Sequence, residues 1–148
     1  MKVLVDTHCW LWALARPEAL NAEAAALLSD DETEVVLSAA SVWEIAIKSA
    51  LGKLRVTAAD DSLFAILDDQ PVTRLPILHS HAHHVANLPL HHRDPFDRML
   101  IAQAQMENLP IGTADDQFLR YEVEVIWARR RKPRRKRGSR KTGARRPT

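Results

Sequence analysis

The sequence predicts an α/β domain: a parallel sheet of five short strands with helices on both of its faces. Two observations predict it. Short apolar runs rich in β-branched residues alternate with stretches of helical periodicity, the pattern of repeated βαβ units. The chain has 148 residues, 46% of them hydrophobic, enough for one domain of ordinary size with a buried core.

Val3-Leu4-Val5 reads as a first buried strand, ending at Asp6-Thr7 and feeding a helix over 9–15. Pro17 breaks the chain, and Asn21 can cap a helix running to about Leu28. After the acidic loop 30–34 comes a second strand, Val35-Val36-Leu37. Ser38 and Ser41 offer caps for a helix to Leu51, which Gly52 ends where a left-handed residue is favoured. On that helix Trp43, Ala46, Ile47, Ala50 and Leu54 form the expected core stripe, with Glu44 at its edge. An amphipathic helix over 60–68 follows, then a strand over 72–77 whose Pro76 marks a sheet edge. Residues 80–88 look helical. Asp94 is an N-cap and Pro95 a first helical residue for a helix over 95–108, with Asp97, Ile101, Ala104 and Asn108 on one face. Strands over 109–113 and 123–127 flank a short helix over 115–121.

Charge divides the chain at about residue 128. Twelve of the 21 Lys and Arg lie in 129–148, so residues 1–128 hold nine cations against all 19 acids, a net −10. The segment 129–148 has no acid and Ala144 as its one apolar side chain, and is expected to be a disordered basic arm. The single cysteine, Cys9, can form no internal disulfide. Asp6 and His8 interrupt the apolar start before a signal peptide develops, and no run reaches spanning length, so a soluble, cytoplasmic protein is expected.

In open parallel sheets ligands bind beyond the carboxyl ends of the strands, where strand order reverses. Asp6 directly follows strand one, and Asp115 follows strand four across one turn. Glu44 lies on the helix after strand two, and Asp97 starts the helix leading to strand four. Each has an ordinary explanation. Asp6 and Asp115 can be helix caps, Asp97 can complete a capping box, and Glu44 with Lys48 makes an i,i+4 surface pair. Brought together without a counter-charge, the four would repel and raise each other's pKa. A hard divalent cation, Mg²⁺ or Mn²⁺, removes that conflict and suits oxygen ligands. Such a site supports metal-assisted phosphodiester hydrolysis.

Four segments carry a resemblance. Val5-Asp6-Thr7-His8-Cys9-Trp10-Leu11-Trp12 is similar to the start of a PIN-domain ribonuclease toxin of the VapC type. Ser38-Ala39-Ala40-Ser41-Val42-Trp43-Glu44-Ile45-Ala46-Ile47-Lys48, with Gly52-Lys53-Leu54, resembles that family's second motif. Leu88-Pro89-Leu90-His91-His92-Arg93-Asp94-Pro95-Phe96-Asp97-Arg98 resembles its third, and Thr113-Ala114-Asp115 its fourth. The similarity covers residues 2–127. It implies a three-layer α/β/α PIN-like domain over 1–128 with strand order 3-2-1-4-5. It also implies Mg²⁺-dependent cleavage of an RNA substrate, a homodimer, and neutralisation by a cognate antitoxin. Position by position, the acidic set is Asp6, Glu44, Asp97 and Asp115. In this reading Asp6 and Asp97 bind the metal directly, Asp115 completes the ligand set or holds a water, and Glu44 orients or deprotonates the attacking water. The resemblance says nothing about 129–148.

Other chemistries fit less well. An aspartyl-phosphate hydrolase wants a second Asp two residues after Asp6, where His8 stands, and a receiver domain wants an Asp after strand three, where Leu78 and His79 stand. His79 and His83 are an i,i+4 pair, but no further ligand at suitable spacing completes a zinc site. Arg93 and Arg98 can hold RNA phosphates or pair with the neighbouring acids. The alternative from another class is a non-catalytic PIN-like module that binds RNA or protein.

Overall fold

A computed structural model of the chain describes residues 1–54 and 63–130. The expected start of the fourth helix and the basic residues from 131 onward lie outside the described residues. The five strands are β1 (Lys2–Val5), β2 (Glu34–Ser38), β3 (Val72–Leu75), β4 (Ile111–Thr113) and β5 (Val125–Trp127). They form one sheet in the order β3-β2-β1-β4-β5, with every pairing parallel. This is the expected α/β architecture and strand order. Pro76 directly follows β3, which is an edge strand, so its missing N–H breaks no ladder bond.

Among the described residues six α-helices connect the strands: α1 (Thr7–Ala15), α2 (Ala22–Ser29), α3 (Ala39–Ala50), α4 (Leu63–Asp69), α5 (His79–His84) and α6 (Pro95–Met106). Side chains alternate across a strand, and the alternation builds two cores. Leu4 and Val36 face one side, where they pack with Leu100, Ile101 and Phe118. Val5 and Leu37 face the other, with Cys9, Trp10, Ala24 and Ile45. The sheet is thus the middle of three layers. Among the described residues no helix is long and apolar enough to cross a membrane.

The caps follow the local sequence. Asn21 Oδ1 accepts from Ala24 N–H at 2.7 Å, and Ser38 Oγ accepts from Ala40 N–H at 3.0 Å. Asp94 Oδ1 accepts from Phe96 N–H at 2.8 Å and from Asp97 N–H at 3.3 Å, with Pro95 opening α6. Gly52 takes φ +69° after α3, the left-handed position that glycine fills without steric cost.

Three expectations are corrected. The predicted stripe of α3 does not face the core: Trp43, Ala46, Ile47 and Ala50 are not among its buried residues, which are Ala40, Ser41, Glu44 and Ile45. Ser41 lies inside α3 and does not cap it. Helix α6 ends at Met106, and Asn108 stands outside it at φ 52°, turning the chain toward β4.

Candidate functional site

β1 lies between β2 and β4, so strand order reverses between β1 and β4. Asp6 and Asp115 follow the carboxyl ends of those two strands. Asp6 is 4% exposed, and its two oxygens have separate duties. Oδ1 caps α1 by accepting from Cys9 N–H at 2.7 Å, and Oδ2 accepts from Thr113 Oγ1 at 2.5 Å. Thr113 Oγ1 in turn accepts from Asp115 N–H at 3.0 Å, so one buried hydroxyl joins the two strand ends. Burial pushes the Asp6 carboxyl above its ordinary range, against the hydrogen bonds that favour its charge.

Glu44 makes the i,i+4 contact with Lys48, Nζ to Oε2 at 2.5 Å, but this is no surface pair, since Glu44 is 3% exposed. Its Oε1 accepts from Thr7 Oγ1 at 2.6 Å, which fastens α3 to the start of α1. Asp115 Oδ1 caps the 3-10 turn Asp116–Arg120 through Gln117 N–H at 2.9 Å. Its Oδ2 lies 2.8 Å from His92 Nε2, and the same nitrogen is 3.1 Å from Asp97 Oδ2.

Asp97 lies within the electrostatic reach of the other three acids. Its carboxyl is pushed up to about 8, first by burial and then by the charges of Asp94, Asp6, Glu44 and Asp115. Negative groups from β1, α3, α6 and the end of β4 therefore act on one carboxylate. Lys48 also belongs to this field: its pKa is raised by the hydrogen bond to Glu44, with further contributions from Asp94 and Asp97. The four acids share one negative field that Lys48 offsets in part, and within it Asp97 and Asp115 bring carboxylate oxygens within 4.8 Å of each other, a pairing that fits a hard divalent cation.

Thr7, Thr113 and His92 are the site residues that sequence reasoning missed. Both threonines sit at strand ends beside an acid, and that adjacency was the available signal. His92 was visible as one of the six histidines in 79–92 but carried no mark separating it from the others. Arg98 leaves the site altogether: the residue is 9% exposed, and its guanidinium donates to the carbonyls of Pro89 at 2.9 Å and Val85 at 3.1 Å. Arg93 is exposed. His81 and His84 instead join α5 to α6, through Glu107 at 2.7 Å and Gln105 at 2.8 Å. Among the described residues the one potential metal-holding group with ligand atoms within 4.8 Å of each other is His92, Asp97 and Asp115.

A parallel sheet covered on both faces, with acids gathered where its strand order reverses, defines an α/β protein built around an anionic site at the sheet's carboxyl edge. The chain belongs to the PIN domain family, which matches residues 3–124. No curated protein sequence matches it. Its fold is that of several solved structures. VapBC2 from Rickettsia felis, bound to a DNA fragment from their promoter, superposes with TM-score 0.65 at 12% identity, covering 85% of this chain and 98% of that one. FitAcB from Neisseria gonorrhoeae gives 0.61 at 23% identity, covering 83% and 95%. VapBC-1 from nontypeable Haemophilus influenzae gives 0.58 at 19%, covering 85% and 97%.

Proposed function

We propose that this protein is a divalent-cation-dependent endoribonuclease acting as the toxin of a toxin–antitoxin pair. The observation that carries the proposal is the close approach of Asp97 and Asp115, with Asp97 pushed up to about 8 by burial and by the charges of Asp94, Asp6, Glu44 and Asp115. These acids oppose one another beyond what Lys48 offsets, and a bound cation would relieve that repulsion. Oxygen donors favour Mg²⁺, with Mn²⁺ as a substitute. Asp6 and Asp97 would hold the cation directly, and Asp115 would complete the ligand set or hold a water beside it. When bound, the cation lowers the pKa of a water and offsets charge on the scissile phosphate. Glu44, oriented by Thr7 and Lys48, would align that water or take its proton. Residues 1–128 form the catalytic unit in this reading.

Membership of the PIN domain family supports a nuclease, and one solved neighbour, from Klebsiella pneumoniae, is a toxin–antitoxin complex. The exposed apolar side chains of Trp43, Ile47 and Leu51 suit protein partners, an antitoxin and a second copy of the chain in a cytoplasmic homodimer.

Cleavage-site mapping on total cellular RNA, with and without Mg²⁺, tests the proposal. Wild type should cut only with the cation. Asp6→Asn and Asp97→Asn should lose cleavage with little change in fold, because Asn keeps the size and loses the charge. Full activity of either variant, or of wild type in excess EDTA, overturns the mechanism. Strong expression alone should slow growth, and co-expression of the adjacent upstream reading frame should relieve it. A harmless protein that cleaves no RNA would be the non-catalytic module.

A further inference from the structure

His92 lies where distance alone would make it a metal ligand, grouped with Asp97 and Asp115. Its hydrogen bonds say otherwise. The backbone N–H of Asp94 donates to His92 Nδ1 at 3.1 Å. A backbone amide can only donate, so Nδ1 presents a lone pair, and the proton of the neutral ring is on Nε2. Nε2 is the atom 2.8 Å from Asp115 Oδ2 and 3.1 Å from Asp97 Oδ2. The tautomer set by Asp94 thus makes Nε2–H a donor, and Asp115 Oδ2 and Asp97 Oδ2 are the oxygens in reach to accept it. An Nε2 that carries a proton has no lone pair for a cation. To coordinate through Nε2 the ring would need its proton on Nδ1, donor against donor with Asp94 N–H.

The ring is also held in place. It meets Phe118, which is fully buried, edge-on at a centroid distance of 6.0 Å and an interplanar angle of 85°. The backbone N–H of His92 donates to Tyr121 Oη at 2.7 Å. Phe118 and Tyr121 both belong to the connection between β4 and β5, which also carries Asp115. His92 therefore joins that connection to the first turn of α6, which carries Asp97.

We propose that His92 is a positioning residue: a fixed Nε2–H donor that spans Asp97 and Asp115, sets the spacing of the two carboxylates, and stays out of the cation's coordination. This rests on the reading of the site as a divalent-cation centre. It makes that centre an all-oxygen one, with no nitrogen ligand to favour a transition metal over Mg²⁺.

The test uses the full chain labelled with ¹⁵N, observed by long-range ¹H–¹⁵N correlation near neutral pH and titrated with Mg²⁺. The metal-free protein should show His92 with Nδ1 unprotonated and Nε2 protonated, and the same pattern should persist when Mg²⁺ saturates. His92→Gln, which keeps a donor on a planar group, should bind Mg²⁺ nearly as well as wild type by calorimetry. His92→Leu should bind it roughly 10–100-fold more weakly, at a Tm showing that the fold is kept. A proton on Nδ1, a switch of tautomer on adding Mg²⁺, or wild-type affinity in His92→Leu overturns the proposal. Should wild type bind no cation, the metal reading itself falls and takes the positioning role with it. The tautomer in the metal-free protein distinguishes that failure from an error in the assignment of the donor.

Discussion

Thr113 Oγ1 donates to Asp6 Oδ2 at 2.5 Å and accepts from Asp115 N–H at 3.0 Å, so two of the four acids depend on a single hydroxyl. Thr113→Val keeps the shape and removes both bonds. Groups that orient a metal's ligands typically contribute 10–100-fold to affinity, and Thr113→Val should weaken Mg²⁺ binding by about that range in calorimetry. Wild-type affinity in this variant would mean that Cys9 N–H alone positions Asp6. Asp97 gives the pH dependence. Its carboxyl has an ordinary value of 3.8 and is pushed up to about 8, and Asp6 is raised too. Between those values the folded protein binds a proton that the unfolded chain has released, so stability falls as pH rises. The metal-free protein should therefore lose thermal stability from pH 3.8 toward about 8, where the loss is complete for Asp97. A cation competes with that proton, so Mg²⁺ should raise Tm more near pH 8 than at mildly acidic pH. Equal shifts by differential scanning calorimetry at both ends would refute the coupling.

Arg98, which the sequence offered as a phosphate-holding residue or a partner for the neighbouring acids, acts instead at the scale of an element. Its Nη1 donates to Pro89 O at 2.9 Å and its Nη2 to Val85 O at 3.1 Å and Leu88 O at 3.3 Å, lacing the 85–92 segment to α6. Arg98→Met keeps much of the stem and leaves those carbonyls without their donor. A loss of roughly 3 kcal/mol by urea unfolding is expected. A change under about 0.5 kcal/mol, the ordinary surface range, would show that water replaces the guanidinium. The strands and most helix starts were legible because they follow from β-branched runs and caps such as Asn21, Ser38 and Asp94. The inward face of α3 was not. Periodicity reports that Trp43, Ala46 and Ile47 share a side, but not which side the fold covers. The buried side instead carries Ser41 and Glu44, whose polarity is satisfied by Thr7 from α1, a partner 34 or more residues away. The positions of Asp6, Asp97 and Asp115 were legible because they follow strand ends or open a helix. His92 was not, because its role depends on Asp94 N–H and on two acids that approach it only in the fold.

A ribonuclease of the proposed kind has to bring a polyanion to an acidic site, and residues 1–128 with a net charge of −10 oppose that approach. The basic segment offers compensation. Arg129 bridges to Leu20, and Arg130 Nε donates to Leu20 O at 3.2 Å, so the truncation that leaves these contacts intact removes 131–148. That segment holds ten of the 21 Lys and Arg and no aromatic residue, which favours phosphate contact over base stacking. Removing it should leave Tm and the cleavage position unchanged. RNA binding should weaken, and its salt dependence should flatten by about 0.7 in the log–log slope for each phosphate the segment had neutralised. Affinity for a single-stranded RNA, measured for both forms from low to physiological salt, decides the matter. Superimposable curves would show that the segment contributes nothing to RNA binding and that the folded body overcomes its own charge unaided.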